Sequence, residues 1–184
     1  MRPRAFDPLH LDVEVFANEA GELHGEWPLS EFDRLADTAH PDARPAPADC
    51  ARWSARGESR PMRGGAPQTW LHLSADTALS LVCQRCLGPL LTRLQTQRDF
   101  LFAPDEASAA ELDADSEDDV LAMTRSLDLR ALVEDELLLA LPLVPRHEVC
   151  REPLPMADDD EEPEAERANP FAALAALKRS GPVN

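Results

Sequence analysis

The chain has 184 residues, 43% of them hydrophobic and 29% charged, enough apolar material for one core and too little length for a large multidomain enzyme. Its formal charge is −17, from 35 Asp and Glu against 18 Lys and Arg, and a chain so acidic repels a phosphate backbone through its average field. Aromatic residues are 5% and Tyr is absent, which argues against a platform built to stack bases or sugars.

Residues 1–16, MRPRAFDPLHLDVEVF, hold basic residues but no continuous apolar stretch and no small-residue cleavage site, so they do not read as a secretory signal. Leu11, Val13 and Val15 alternate with Asp12, Glu14 and Phe16, which predicts a first strand. A short helix follows, with Ser30 as N-cap, Asp33 completing a capping box, and Phe32, Leu35 and Ala36 on one face. Residues 37–49, DTAHPDARPAPAD, are proline-rich and read as a connector. Residues 50–56 and 68–83 read as extended, joined through the turn Met62-Arg63-Gly64-Gly65, and Leu79, Leu81 and Cys83 share a face. After Gly88-Pro89, residues 90–102 alternate apolar positions with Arg, Gln and Thr. Three such runs predict an antiparallel meander.

The strongest helix signal spans residues 128–141. Asp128 caps it, Leu127 and Leu132 form a hydrophobic staple, and Leu132, Val133, Leu137, Ala140 and Leu141 form the buried stripe. Pro142 stops it. Arg130, Glu134, Asp135 and, at the stripe's edge, Glu136 lie on the other face, where a solvated role is simpler than metal ligation or acid catalysis. The longest apolar run, 137–144, is interrupted by Pro142 and falls far short of the roughly 20 residues that cross a bilayer. A last helix begins at Asn169 and Pro170, runs through FAALAALKRS and ends on Lys178 and Arg179. So short a helix is marginal alone, so Phe171, Leu174 and Leu177 are expected to dock on the domain or a partner. The expected architecture is α+β: an antiparallel meander sheet packed by one long helix, with a short C-terminal helix and disordered acidic segments. In domain terms this is one α+β domain over 1–150 with a disordered acidic loop at about 104–118, an acidic linker over 151–168 and a helix over 169–181.

Charge is not evenly spread. Residues 105–119 (DEASAAELDADSEDD) and 158–166 (DDDEEPEAE) hold fifteen acids and no base, and the remainder is near −2. Between residues 44 and 98, Arg44, Arg52, Arg56, Arg60, Arg63, Arg85, Arg93 and Arg98 face only Asp49, Glu58 and Asp76, a local +5. The acidic runs cannot bury apolar surface and read as solvated loops.

The sharpest local chemistry is Cys83-Gln84-Arg85-Cys86, followed about sixty residues later by His147-Glu148-Val149-Cys150. Two pairs at i, i+3 make a Cys3His set, and zinc takes four tetrahedral N or S ligands in a closed site. Thiols without metal and redox chemistry are the alternatives. A redox CxxC usually opens a helix that lowers the thiol pKa, whereas Gly88-Pro89 follows here. Cys50 reads as a small apolar strand residue. There is no GxSxG, HExxH or P-loop, and His10, His24, His40 and His72 read as surface or loop residues. With no membrane span or secretory signal the expected compartment is the cytoplasm, where thiols stay reduced.

CQRCLGPL, then LDLRALVEDELLLALPLVPRHEVC, then NPFAALAALKRS, in this order, resemble the large ribosomal RNA subunit accumulation protein (YceD) family of bacteria and plastids. PLSEFDRLAD fits that family's N-terminal part. The resemblance carries over Cys83, Arg85, Cys86, Asp135, Glu136, Pro142, His147 and Cys150 as positions of the family pattern. It implies a non-enzymatic factor in the accumulation or processing of 23S ribosomal RNA, acting on a ribosomal RNA precursor or large-subunit ribosomal proteins, with no membrane and no small-molecule substrate. In that reading Arg85, at the turn between two cysteines, and Arg52, Arg56, Arg93 and Arg98 are the candidate contacts to phosphate or protein. The alternatives are an adaptor that binds basic ribosomal proteins without touching RNA, and a CxxC thiol oxidoreductase.

Overall fold

Residues that alternate between apolar and polar over long runs build one five-stranded sheet in the computed structural model, which describes residues 5–116 and 118–150. The strands are β1 (Glu22–Pro28), β2 (Cys50–Arg60), β3 (Gln68–Val82), β4 (Pro89–Ala103) and β5 (Asp119–Ala122), in that spatial order. β1 to β4 pair antiparallel with their sequence neighbours, while β5 joins β4 in parallel. Period-two alternation sends Trp53, Ala55, Leu71, Leu73, Ala75, Leu79, Leu81, Leu94 and Phe100 to a buried face. Arg52, Ser54, Arg56, His72, Ser74 and Asp76 go to the other.

Helices α1 (Val13–Asn18), α2 (Asp33–Asp37) and α4 (Leu129–Leu139) contribute the rest of this core through Val13, Phe16, Leu35, Leu129, Val133 and Leu137. The strand expected over Leu11–Val15 is therefore corrected to a helix. The Asp12 carboxylate accepts the Val15 N–H at 3.2 Å, and the spacing Val13, Phe16, Ala17 that becomes buried is helical. Only Leu11 retains strand character, in an isolated bridge to Leu127. Gly57 lets the backbone of α1 lie directly on β2, since a Cβ there would come within 2.8 Å of the Ala17 backbone. β1, which follows α1, had no signal of its own.

The short helix near residue 33 is present, but Ser30 does not cap it. Leu29–Glu31 form a 3-10 turn, the helix starts after Phe32, and no side chain of its own sequence caps it. Its cap comes from α4, where Glu134 Oε1 accepts the N–H groups of Arg34 at 2.8 Å and Leu35 at 3.1 Å. α4 itself starts as expected: Asp128 accepts from Arg130 and Ala131, and the helix ends before Pro142. Its buried side differs, being Leu129, Val133, Glu134, Glu136 and Leu137.

The sequence reads as a disordered acidic loop over about 104–118, but Glu106–Asp115 form a helix, α3. Asp105 caps it through the Ser108 N–H at 2.8 Å, and Ala109 is buried against Trp70, Leu101, Ala103 and Val120. This second small core lies on the polar side of the sheet, near the start of β3. Among the described residues, no helix is long and apolar enough to cross a membrane. The linker over 151–168 and the helix with Phe171, Leu174 and Leu177 lie outside the described residues.

Candidate metal centre and its surroundings

β3 ends at Val82 and β4 begins at Pro89, and the residues between them make a tight turn, here called the knuckle. Cys83 N–H donates to the Gly88 carbonyl at 3.0 Å and Leu87 N–H to the Cys83 carbonyl at 2.9 Å. The turn closes by placing Leu87 at φ +59°, a left-handed conformation that a residue with a Cβ adopts at a cost of roughly 1–2 kcal/mol. This CxxC thus links two strands and does not open a helix.

Pro142 ends α4, and the chain beyond it runs to the knuckle, where Gln84 N–H donates to the Pro145 carbonyl at 2.8 Å. That contact delivers the second pair. Ligand atoms of Cys83, Cys86, His147 and Cys150 all lie within 4.8 Å of one another, with Cys83 buried and the others partly so. Cys83 Sγ is 3.9 Å from Cys150 Sγ, and Cys86 Sγ is 3.4 Å from His147 Nδ1. A tetrahedral ion with Zn–S near 2.3 Å and Zn–N near 2.0 Å separates its ligands by about 3.8 Å for S···S and about 3.5 Å for S···N. The donor set and its spacings fit that ion.

The histidine is oriented for the task. Its Nε2 lies 3.1 Å from the Pro89 carbonyl, and a carbonyl only accepts, so Nε2 carries the proton and Nδ1 presents its lone pair to the cysteines. The thiols differ among themselves. Burial pushes Cys83 up, but the backbone N–H groups of His147, Arg85 and Cys86 together outweigh it and hold the thiol down to about 5. Cys150 is pushed up to about 11, by burial first and then by its neighbours Cys86 and Cys83. Cys50, at the start of β2, turns its thiol toward the Ala48 carbonyl at 3.6 Å and stands apart from the group.

The five arginines singled out from the sequence do not form one surface. Arg52 and Arg56 lie on the open face of the sheet but are paired, Arg52 with Asp76 at 2.6 Å and Arg56 with Glu58 at 3.6 Å. Strand register adds Glu22 opposite Arg56 and Glu26 opposite Arg52. Arg60 also bonds Glu58 and stacks on Trp70 at 4.3 Å, while His72 joins Glu58 and Asp99 at 2.8 and 2.7 Å. The local +5 is thereby cancelled on this face. Arg98 is on the opposite side of the sheet, 3.3 Å from Glu136 and 3.8 Å from Asp119. Among the described residues, Arg44, Arg63, Arg85, Arg93, Arg125 and Arg146 are exposed and have no carboxylate partner. Arg85 and Arg146 immediately adjoin the Cys3His group in sequence, and Leu87, Val144 and Val149 beside them are exposed, as is Leu143.

The acids of α4 also divide. Asp135 is exposed and bonds Arg34 at 2.6 Å. Glu134 and Glu136 are buried, which corrects their assignment to a solvated face. Glu134 takes two backbone N–H groups and the Arg34 guanidinium. Glu136 accepts from Arg98 and from Thr96 at 3.4 Å, and burial first of all raises its pKa, with Arg98 opposing. Two residues outside the sequence-derived set matter here. Glu134 gives no local capping signal because its two amide partners are about a hundred residues away, and His40, which reads as a loop residue, is buried and bonded to the Leu87 carbonyl at 3.0 Å.

Comparison with known proteins gives one consistent result. The family model described as "Large ribosomal RNA subunit accumulation protein YceD" matches residues 71–178. The protein of that name from Haemophilus influenzae is 36% identical over 105 residues, covering 55% of this chain and 60% of the relative's length. No solved structure matches.

Proposed function

Because the chain belongs to the YceD family, we propose that it acts, without catalysis, in the accumulation and processing of 23S ribosomal RNA during assembly of the large subunit. The same reading gives the Cys83, Cys86, His147 and Cys150 group a structural zinc ion, which ties the β3–β4 turn to the segment after α4. The ion would supply no reaction; with four protein ligands it is closed to substrate. The observation that carries the mode of action is the contrast between the neutralised sheet face and the knuckle. Arg85 and Arg146 have no carboxylate partner and flank the metal ligands, so their guanidinium groups can bind phosphate bidentately without first breaking an ion pair. The contact to precursor RNA is accordingly assigned to this end of the molecule; Arg93, which lies on the open sheet face beside Arg52 and Asp76, is withdrawn from it together with Arg52, Arg56 and Arg98. The total charge fits a selective contact, since a chain at −17 has no general affinity for RNA.

A second reading has its own support. Leu87, Leu143, Val144 and Val149 are exposed, and apolar side chains beside arginines suit a protein surface as well as RNA. In that case the partner is a large-subunit ribosomal protein. Crosslinking in cells separates the two: RNA adducts at the knuckle support direct contact, and protein adducts alone support the adaptor. Deletion of the gene tests both, with the expected result a fall in mature large-subunit RNA and a rise in its precursors. Normal levels of both species would refute the assignment.

A further inference from the structure

We infer that His40 is the outer brace of the knuckle and sets the affinity of the Cys3His group for its metal, an inference that rests on reading that group as a zinc centre. His40 is 7% exposed and comes from the proline-rich connector, far from the cysteines in sequence. Its own N–H donates to the Ser80 carbonyl at 2.7 Å, which pins the connector beside the end of β3. Asp42 N–H donates to Nδ1 at 3.1 Å, so Nδ1 carries the lone pair. Nε2 therefore carries the proton and donates to the Leu87 carbonyl at 3.0 Å.

Leu87 is the strained residue of the turn, and its side chain is 57% exposed, so packing does not hold the conformation. Hydrogen bonds do. Three successive carbonyls are each held by a different donor: Leu87 by His40, Gly88 by the Cys83 N–H, and Pro89 by the ligand His147. If the first is released, the Leu87–Gly88 peptide can rotate out of the left-handed geometry, and the next two acceptors move with it. Cys86, one residue before Leu87, and His147, bonded to Pro89, then lose their mutual placement. The brace thus lies one step beyond the ligands and acts through the backbone.

The test uses the full chain and zinc alone, titrated against a chromophoric chelator. His40→Phe keeps the bulk and removes both the donor to Leu87 and the acceptor for the Asp42 N–H, and we expect its zinc Kd to rise about tenfold, the low end of the cost of losing a direct partner of a ligand, because His40 acts one residue further out. His40→Gln, whose amide can still reach the carbonyl, should recover part of that loss. Adding Leu87→Gly to His40→Phe should recover it as well, because glycine holds the left-handed turn without strain. A purely structural His40 would lower the melting temperature of the zinc-free protein and leave the Kd of all variants equal. Equal Kd values in the wild type and His40→Phe would overturn the inference alone. A wild type that takes up no zinc would overturn the zinc reading and the inference together. Should His40→Phe fail to fold, the comparison of wild type, His40→Gln and Leu87→Gly decides: His40→Gln must bind more weakly than wild type, and Leu87→Gly must not, for the inference to stand.

Discussion

His147 donates its Nε2–H to the Pro89 carbonyl at 3.1 Å and by that bond turns Nδ1 toward Cys86 Sγ, 3.4 Å away. One ring therefore links the start of β4 to the ligand group. If the group holds zinc as proposed, removing the ion should loosen both. Native mass spectrometry is expected to show one zinc per chain, and hydrogen exchange after chelation should accelerate over 83–89 and 142–150 while the centre of β3 stays protected. At free zinc a thousandfold above its Kd the ion would add about 4 kcal/mol to stability. A zinc-free chain with four reactive thiols would contradict this.

Glu134 binds two amides at the start of α2 that have no other acceptor. Glu134→Ala should cost about 2 kcal/mol in urea unfolding, chiefly from leaving the Arg34 and Leu35 N–H groups unpaired. Asp135→Ala, which breaks only an exposed pair with Arg34, should cost less than about 1 kcal/mol. Equal losses would mean that the cap contributes nothing beyond the ion pairs.

Glu136 behaves oppositely to most carboxylates. Burial raises its pKa in the folded chain, so its favourable contribution is complete below the ordinary carboxylate pKa and fades as pH rises through the raised value. Glu136→Gln should therefore gain stability relative to the wild type as pH increases from 4 toward 8, measured by thermal unfolding across that range. A difference that shrinks with pH would show Arg98 to dominate instead.

Glu58 has the usual sign. Hydrogen bonds from Arg60, and next from His72, lower its pKa to about 2. Its contribution is present above the ordinary carboxylate pKa of 4.5 and is lost as pH falls toward 2. Glu58→Gln should flatten the acid limb of the stability profile over that window. An unchanged limb would exclude the Glu58 network from acid unfolding.

Much of the sheet is legible in the sequence because β2, β3 and β4 carry period-two alternation that burial on one face demands, and α4 because Asp128 and Pro142 bound it. α1 is not, since Leu11, Val13 and Val15 fit a strand equally well until Phe16 and Ala17 are seen to pack on Gly57. α3 is hidden by its charge: among its described residues only Ala109 is buried, too small a signal to overrule its acids. At the site, the i, i+3 pairs are legible, and the structure brings all four residues together. What one dimension conceals is which arginines are already engaged. Arg52, Arg56 and Arg98 meet acids that come from other strands, from neighbouring residues or from α4, and His40 meets Leu87 only after the connector folds back.

In the proposed function the knuckle, and not the sheet face, makes the contact to precursor RNA. It is tested most directly by complementing a deletion strain with Arg85→Ala/Arg146→Ala or with Arg52→Ala/Arg56→Ala and measuring mature 23S RNA against its precursors. The knuckle pair is expected to fail to restore mature RNA while the sheet pair restores it. Restoration by the knuckle pair together with failure of the sheet pair would contradict the assignment.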